Sequence, residues 1–96
     1  MAELAVIKAK LADFHTAGID NVVPATFGDS DSLRVGDSVI AIGNALGQGK
    51  SATDGMISIL NQTINVDGRD LNVIQTSANI NPGNSGGALV NMKGEV

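Results

Sequence analysis

Apolar residues occur along this chain in short runs separated by glycine, aspartate, asparagine and serine. No run repeats at the three-to-four-residue interval of an amphipathic helix. The runs predict strands at 4–10, 38–43, 53–60, 72–77 and 88–92, with further extended chain at 22–27. Strands at such short intervals predict an antiparallel all-β fold, either a barrel or a sandwich.

Turn residues divide these predicted strands. The polar segment 11–21 predicts a connector with at most one short helical turn, and 28–32 predicts a turn held by aspartate and serine side chains. Asp67-Gly68 is a strong hairpin signal, and Lys93-Gly94 predicts a further turn. Gly55, inside a predicted strand, indicates a bulge or a sharp barrel corner.

Composition excludes several classes of function. A chain of 96 residues forms one domain at most, and its net charge of −4 argues against nucleic acid as a partner. It has no cysteine and a single histidine, so we expect no metal site and no cofactor. No apolar run approaches the length of a membrane span, and no signal peptide is visible.

The most distinctive stretch is the glycine-rich segment 81–87, which contains Ser85 and runs into an apolar strand. Glycines on both sides allow the backbone to direct successive N–H groups to one place. Ser85 is therefore a candidate nucleophile, and the N–H groups of Gly83 and Ser85 are candidate donors of an oxyanion hole. The alternative is a hairpin turn whose serine only satisfies a local hydrogen bond.

Several segments together resemble the HtrA (Do/Deg) family of trypsin-like serine proteases. The resemblance covers nearly the whole chain, in order and at the family's spacing, which makes it far more specific than the serine motif alone. The segments that carry it are 28–30, 33–37, 39–44, 55–58, 68–71, 74–76, 80–91 and 94–96.

The resemblance implies a trypsin-like antiparallel β-barrel, the second barrel of the two-barrel protease fold. Residues 1–10 would be the last strand of the first barrel, 11–23 the connector between barrels, and 24–96 the second barrel. We expect this barrel to be truncated at its C-terminal end and no PDZ domain to be present. The family's catalytic histidine lies in the first barrel, upstream of these residues.

The resemblance also assigns site residues. It implies that Ser85 is the nucleophile, that Gly83, Asn84 and Ser85 form the oxyanion hole, and that Ile80 and Asn81 line the wall of the substrate pocket. No metal takes part.

Other positions depart from the family pattern. Glu3 occupies the place of the family's catalytic aspartate, but we favour the interpretation that it is a surface acid. His15 falls in the connector and does not match the family's histidine position. Ala45, Ser77 and Asn79 differ from the usual proline, aspartate and alanine, so substrate preference cannot be carried over.

The resemblance implies a serine endopeptidase that cleaves unfolded or misfolded polypeptides, although we expect the chain alone to be inactive because it lacks the family histidine. The alternative is a non-catalytic β module that binds peptide or subunits through open sheet edges. Unpaired edges also predict self-association. By family analogy the location is extracytoplasmic, in the periplasm or at the cell envelope.

Overall fold

A computed structural model describes residues 6–44 and 49–96. In these ranges the chain forms a four-stranded antiparallel sheet in the order β3-β2-β1-β4. One short helix and one 3-10 turn precede the sheet, as the sequence predicted. The elements are α1 (Leu11–Thr16), the 3-10 turn (Ser30–Ser32), β1 (Ser38–Gly43), β2 (Ser51–Val66), β3 (Arg69–Thr76) and β4 (Ala88–Asn91).

The predicted hairpin at Asp67-Gly68 joins β2 to β3. Both residues have positive φ, 52° and 79°, which is the conformation of a two-residue turn that matches strand twist. Asn65 lies opposite Asp70 in the ladder, and its Nδ2 donates a hydrogen bond of 3.1 Å to the carboxylate. The local turn chemistry thus sets the register of this pair.

The irregularity predicted at Gly55 lies elsewhere in β2. Register shifts occur between Ile57 and Ile59 and between Ile59 and Gln62. Gly55 instead allows a close approach of two backbones, because a Cβ there would overlap the N atom of Ala78 and lie 2.7 Å from its Cα. The bulges increase the local twist of the sheet, and the glycine brings the chain beyond β3 against β2.

The core described by the structure is small. The buried apolar side chains are those of Val39, Ala41, Ile57 and Ala78, and only Ile57 is wholly buried. The accessible area of the chain is 7748 Å², against about 5,100 Å² expected for a compact monomer of this mass. Part of the apolar surface of the sheet is uncovered, since between 37% and 50% of each of five strand residues is exposed: Ile42, Met56, Ile59, Ile64 and Ile74.

The last residues of the chain fold back onto β4. The side-chain Oδ1 of Asn91 accepts hydrogen bonds of 2.9 Å from the N–H groups of Lys93 and Glu95, which forms the predicted turn. Val96 then pairs with the segment before the 3-10 turn, donating to the carbonyl of Thr26 (2.9 Å) and accepting from the N–H of Gly28 (2.8 Å). This pairing joins the last residue of the chain to the segment that precedes the 3-10 turn.

Two predicted extended segments differ from expectation. Residues 6–10, the described part of the predicted first strand, form no strand, and the side chains of Val6 and Ile7 are 90% and 92% exposed. Residues 22–27 also form no regular strand, and in the described chain their backbone hydrogen bonds only to Val96, whose N–H donates to the carbonyl of Thr26. In both segments the apolar pattern is present but no neighbouring strand is paired with it in the described chain, and a strand needs such a partner.

Some predicted features lie outside the described residues. These are Glu3, the first part of the segment 1–10, and Ala45. Over the ranges that are described, no helix is long and apolar enough to cross a membrane.

Candidate active site

Residues 81–87, hereafter the serine turn, lie between β3 and β4 and lead directly into the strand that pairs with β1. Gly83 and Gly86 adopt positive φ of 101° and 84°, which L residues rarely adopt, on either side of Asn84-Ser85. The N–H of Asn84 donates to the carbonyl of Asn81 (3.0 Å), and the N–H of Gly87 donates to the carbonyl of Asn84 (2.8 Å). Two tight turns in succession therefore present Ser85 at the surface.

The hydrogen-bonding groups of Ser85 and Gly83 are free. Among the residues that the structure describes, neither of their N–H groups has an acceptor, and the Oγ of Ser85 has no partner. The side chain of Ser85 is also exposed. A turn serine whose only role is a local hydrogen bond would have a partner for its Oγ. The free hydroxyl therefore argues against the alternative of a simple hairpin turn. Two unused donors and an unused hydroxyl can serve an incoming carbonyl group.

Asn84, the third predicted oxyanion-hole residue, has a different environment. Its N–H is committed to Asn81, and its side chain points inward with only 7% of the residue exposed. It packs on Gly43 at the end of β1, where an added Cβ would overlap the Oδ1 of Asn84 and lie 2.8 Å from its Cα. This contact was not predicted. The only signal in the sequence was a glycine ending a strand.

The segment that leads into the serine turn is anchored to β2. The N–H of Met56 donates to the Oγ of Ser77, and the N–H of Ser77 donates back to the carbonyl of Met56, both at 3.0 Å. Thr53 Oγ1 donates to the carbonyl of Asn79 at 2.8 Å. Ser77 and Asn79 both depart from the family pattern. Ser77, through its Oγ and its N–H, and Asn79, through its backbone carbonyl, hold the segment before the serine turn against β2.

The predicted pocket-wall residues follow this anchored segment and are exposed. Ile80 has 57% of its surface accessible, and Asn81 is exposed while its carbonyl receives the N–H of Asn84. An exposed isoleucine next to the free donors is available to contact an apolar group of a ligand.

Among the described residues, no side chain hydrogen bonds to the Oγ of Ser85 as a general base would. His15 lies in α1 with an exposed side chain, and it does not hydrogen bond to Ser85, whose Oγ is without a partner there. Glu3 lies outside the described residues. The structure therefore brings together the serine and the two donors, but not a histidine.

Comparison with known proteins gives a consistent result. The "Trypsin-like peptidase domain" family matches residues 2–96. "Serine protease Do-like HtrB" of Bacillus subtilis is 58% identical over 92 residues, covering 90% of this chain and 20% of the relative. "Periplasmic pH-dependent serine endoprotease DegQ" of Escherichia coli is 54% identical over 69 residues, covering 71% of this chain and 15% of the relative.

A solved structure supports the same assignment. The structure described as "HtrA-type protease AlgW with tripeptide" matches with a TM-score of 0.67 at 47% identity, covering 75% of this chain and 24% of that one. This chain spans about a fifth of the length of the Bacillus subtilis relative. The sequence, the antiparallel sheet and the serine turn agree: the chain belongs to the trypsin-like peptidase family, in its HtrA (Do/Deg) branch.

Proposed function

We propose that this chain supplies the nucleophile and the oxyanion hole of an HtrA-type serine endopeptidase. The single observation that carries the proposal is the combination, in one turn, of a free Ser85 hydroxyl with the free N–H groups of Gly83 and Ser85. The neighbouring amides of Asn84 and Gly87 are hydrogen bonded, so the turn is held while these groups stay open. Two open donors in a turn that is held by other hydrogen bonds support a preorganised site for a developing oxyanion.

The reaction follows from these groups. A histidine supplied by the rest of the protease, and not by this chain, takes the proton of Ser85 as the serine Oγ bonds to the peptide carbonyl carbon. The carbonyl oxygen becomes an oxyanion that accepts hydrogen bonds from Gly83 and Ser85. The amine leaves with the proton from the histidine, and water then hydrolyses the acyl-enzyme. Glu3, at the family's aspartate position, would orient that histidine.

The substrates we propose are unfolded or misfolded polypeptides in extended form. Ile80 and Asn81 would form one wall of the pocket for the side chain before the cleaved bond, and the exposure of Ile80 leaves it accessible to such a residue. The related AlgW protease was solved with a tripeptide, so a relative has been observed together with peptide. Relatives from Haemophilus, Escherichia and Salmonella are named periplasmic, which supports an extracytoplasmic location.

The domain arrangement is part of the same proposal. Residues 24–96 would form the nucleophile-bearing barrel, 11–23 the connector and 1–10 the last strand of the preceding barrel. The uncovered apolar surface of the sheet supports this, since a complete barrel would bury it. The short helix α1 and the coil after it are consistent with a connector.

A chimera tests the proposed activity. This chain would replace its matched 92-residue stretch in the Bacillus subtilis relative, which would supply the remaining parts of the protease. We expect the chimera to cleave casein and the Ser85→Ala variant to lose activity by at least about a thousandfold. Ser30→Ala, on the 3-10 turn, is the matched serine control and should retain activity. Equal cleavage by the Ser85→Ala protein would refute the assignment.

The open sheet edges favour a second function, binding through strand addition. In the described chain, β3 and β4 are the outer strands of the sheet, and each has one side without a strand partner. We propose that a second copy of the chain pairs with one of these edges. Sedimentation velocity over a hundredfold concentration range should show a monomer–dimer shift. A strictly monomeric species throughout would contradict edge pairing.

A further inference from the structure

We propose that the buried side chain of Asn84 is a positioning residue that holds the two oxyanion-hole donors in place. The inference rests on the proposed function, since it concerns the donors Gly83 and Ser85. Within the serine turn, Asn84 alone is buried, with 7% of its surface exposed, while every other residue of the turn is exposed. A buried polar side chain in an exposed turn requires a physical reason.

Three contacts fix Asn84. Its N–H donates to the carbonyl of Asn81, and its carbonyl accepts from the N–H of Gly87. Its carboxamide fills the space beside Gly43, where the absence of a Cβ makes room for it. Because Asn84 is bonded along the chain and packed against β1, the peptide units on either side of it cannot rotate freely. The unit that follows Asn84 carries the N–H of Ser85. The N–H of Gly83 lies in the middle of the turn that the N–H of Asn84 closes on the carbonyl of Asn81.

The carboxamide oxygen is not explained by stability. Asn84 Oδ1 is buried and has no hydrogen-bond partner among the described residues. A buried acceptor without a donor lowers stability, and alanine at this position would carry no such atom. We therefore infer that the asparagine serves the geometry of the turn. A donor pair that must not move during the reaction needs support of this kind from a neighbouring residue.

The test compares reactivity with stability in the same chimera. Asn84→Ala should lower kcat for a peptide substrate, and the rate of fluorophosphonate labelling at Ser85, by about tenfold to a hundredfold, less than the loss of a whole oxyanion-hole donor. KM should change by no more than about twofold, because binding of the ground state does not use the donors. The melting temperature should change by no more than about 3 °C.

A second variant approaches the same contact from β1. Gly43→Ala adds a methyl group where the Asn84 carboxamide lies and should also slow labelling. Its effect should be smaller in the Asn84→Ala background, because two of the three atoms that the methyl group meets, Oδ1 and Cγ of Asn84, are then gone. Gly28→Ala is the control, since its Cβ would lie 3.2 Å from the Cβ of Glu95 and away from the serine turn. It should label at the parent rate.

The outcomes separate the two proposals. If the parent chimera is labelled at Ser85 and its Asn84→Ala variant is labelled at the same rate, the positioning role is overturned and the proposed function stands. A variant that loses rate only in proportion to its unfolded fraction also overturns it, because the residue would then be merely structural. A parent chimera that is folded yet unlabelled at Ser85 overturns both.

Discussion

The isolated chain should react with a fluorophosphonate at least about a thousandfold more slowly than the same chain joined to a histidine-bearing barrel. A serine hydroxyl is a weak nucleophile until a base accepts its proton within hydrogen-bond reach. The chain has one histidine, His15, and in the described structure Ser85 has no side-chain partner. The two free donors can stabilise an oxyanion but cannot remove the proton.

This expectation is checked by time-resolved labelling of the chain and the chimera at equal concentrations, with circular dichroism to establish that each is folded. His15→Ala is the matched variant in the isolated chain and should leave its residual rate unchanged. Rapid labelling of the isolated chain that disappears in His15→Ala would contradict the requirement for an external base, and would identify His15 as that base.

Replacing Gly87 with alanine should destabilise the sheet by about 3 kcal/mol or more. A Cβ at position 87 would overlap the carbonyl oxygen of Ile42 and lie 2.9 Å from that of Asn84. Neither atom is free to move away. Ile42 belongs to the β1–β4 ladder opposite Ala88, and the carbonyl of Asn84 accepts the N–H of Gly87 itself. Separating them would pull the start of β4 from β1.

Gly86→Ala is the control for the cost of losing a glycine in the same turn. Gly86 has φ of 84°, but an added Cβ would meet nothing within 4 Å. Its substitution should therefore cost only the backbone strain, about 1–2 kcal/mol. Urea unfolding of both variants gives the comparison. A Gly87→Ala protein as stable as Gly86→Ala would mean that the close approach to Ile42 is absent in solution.

Elements fixed by local chemistry were predictable from the sequence. The Asp67-Gly68 hairpin and β1 lie where turn residues and the apolar run place them. The length of β2 was not predictable. The prediction ended it at residue 60, whereas β2 extends to Val66 through a polar stretch. Pairing with β3 maintains that part of the strand, because strand formation depends more on neighbours than on intrinsic preference.

The serine turn was predictable for a similar reason. Its glycines indicate an unusual backbone, and Gly83 and Gly86 do adopt positive φ. The burial of Asn84 was not predictable, since it depends on Gly43, which lies far away in the sequence and approaches only when β4 pairs with β1. Contacts of this kind come from tertiary packing, and in the sequence only a glycine marks them.

The most direct test of the assignment is to map the site of covalent modification. The histidine-supplied chimera is treated with a fluorophosphonate, which forms a phosphorus–oxygen bond to an activated serine and releases fluoride, and is then digested and analysed by mass spectrometry. We expect the adduct on Ser85 and none on the Ser85→Ala protein. An adduct on another residue of this chain, or none on Ser85 in a folded protein, would contradict the proposal that the serine turn is the nucleophile site.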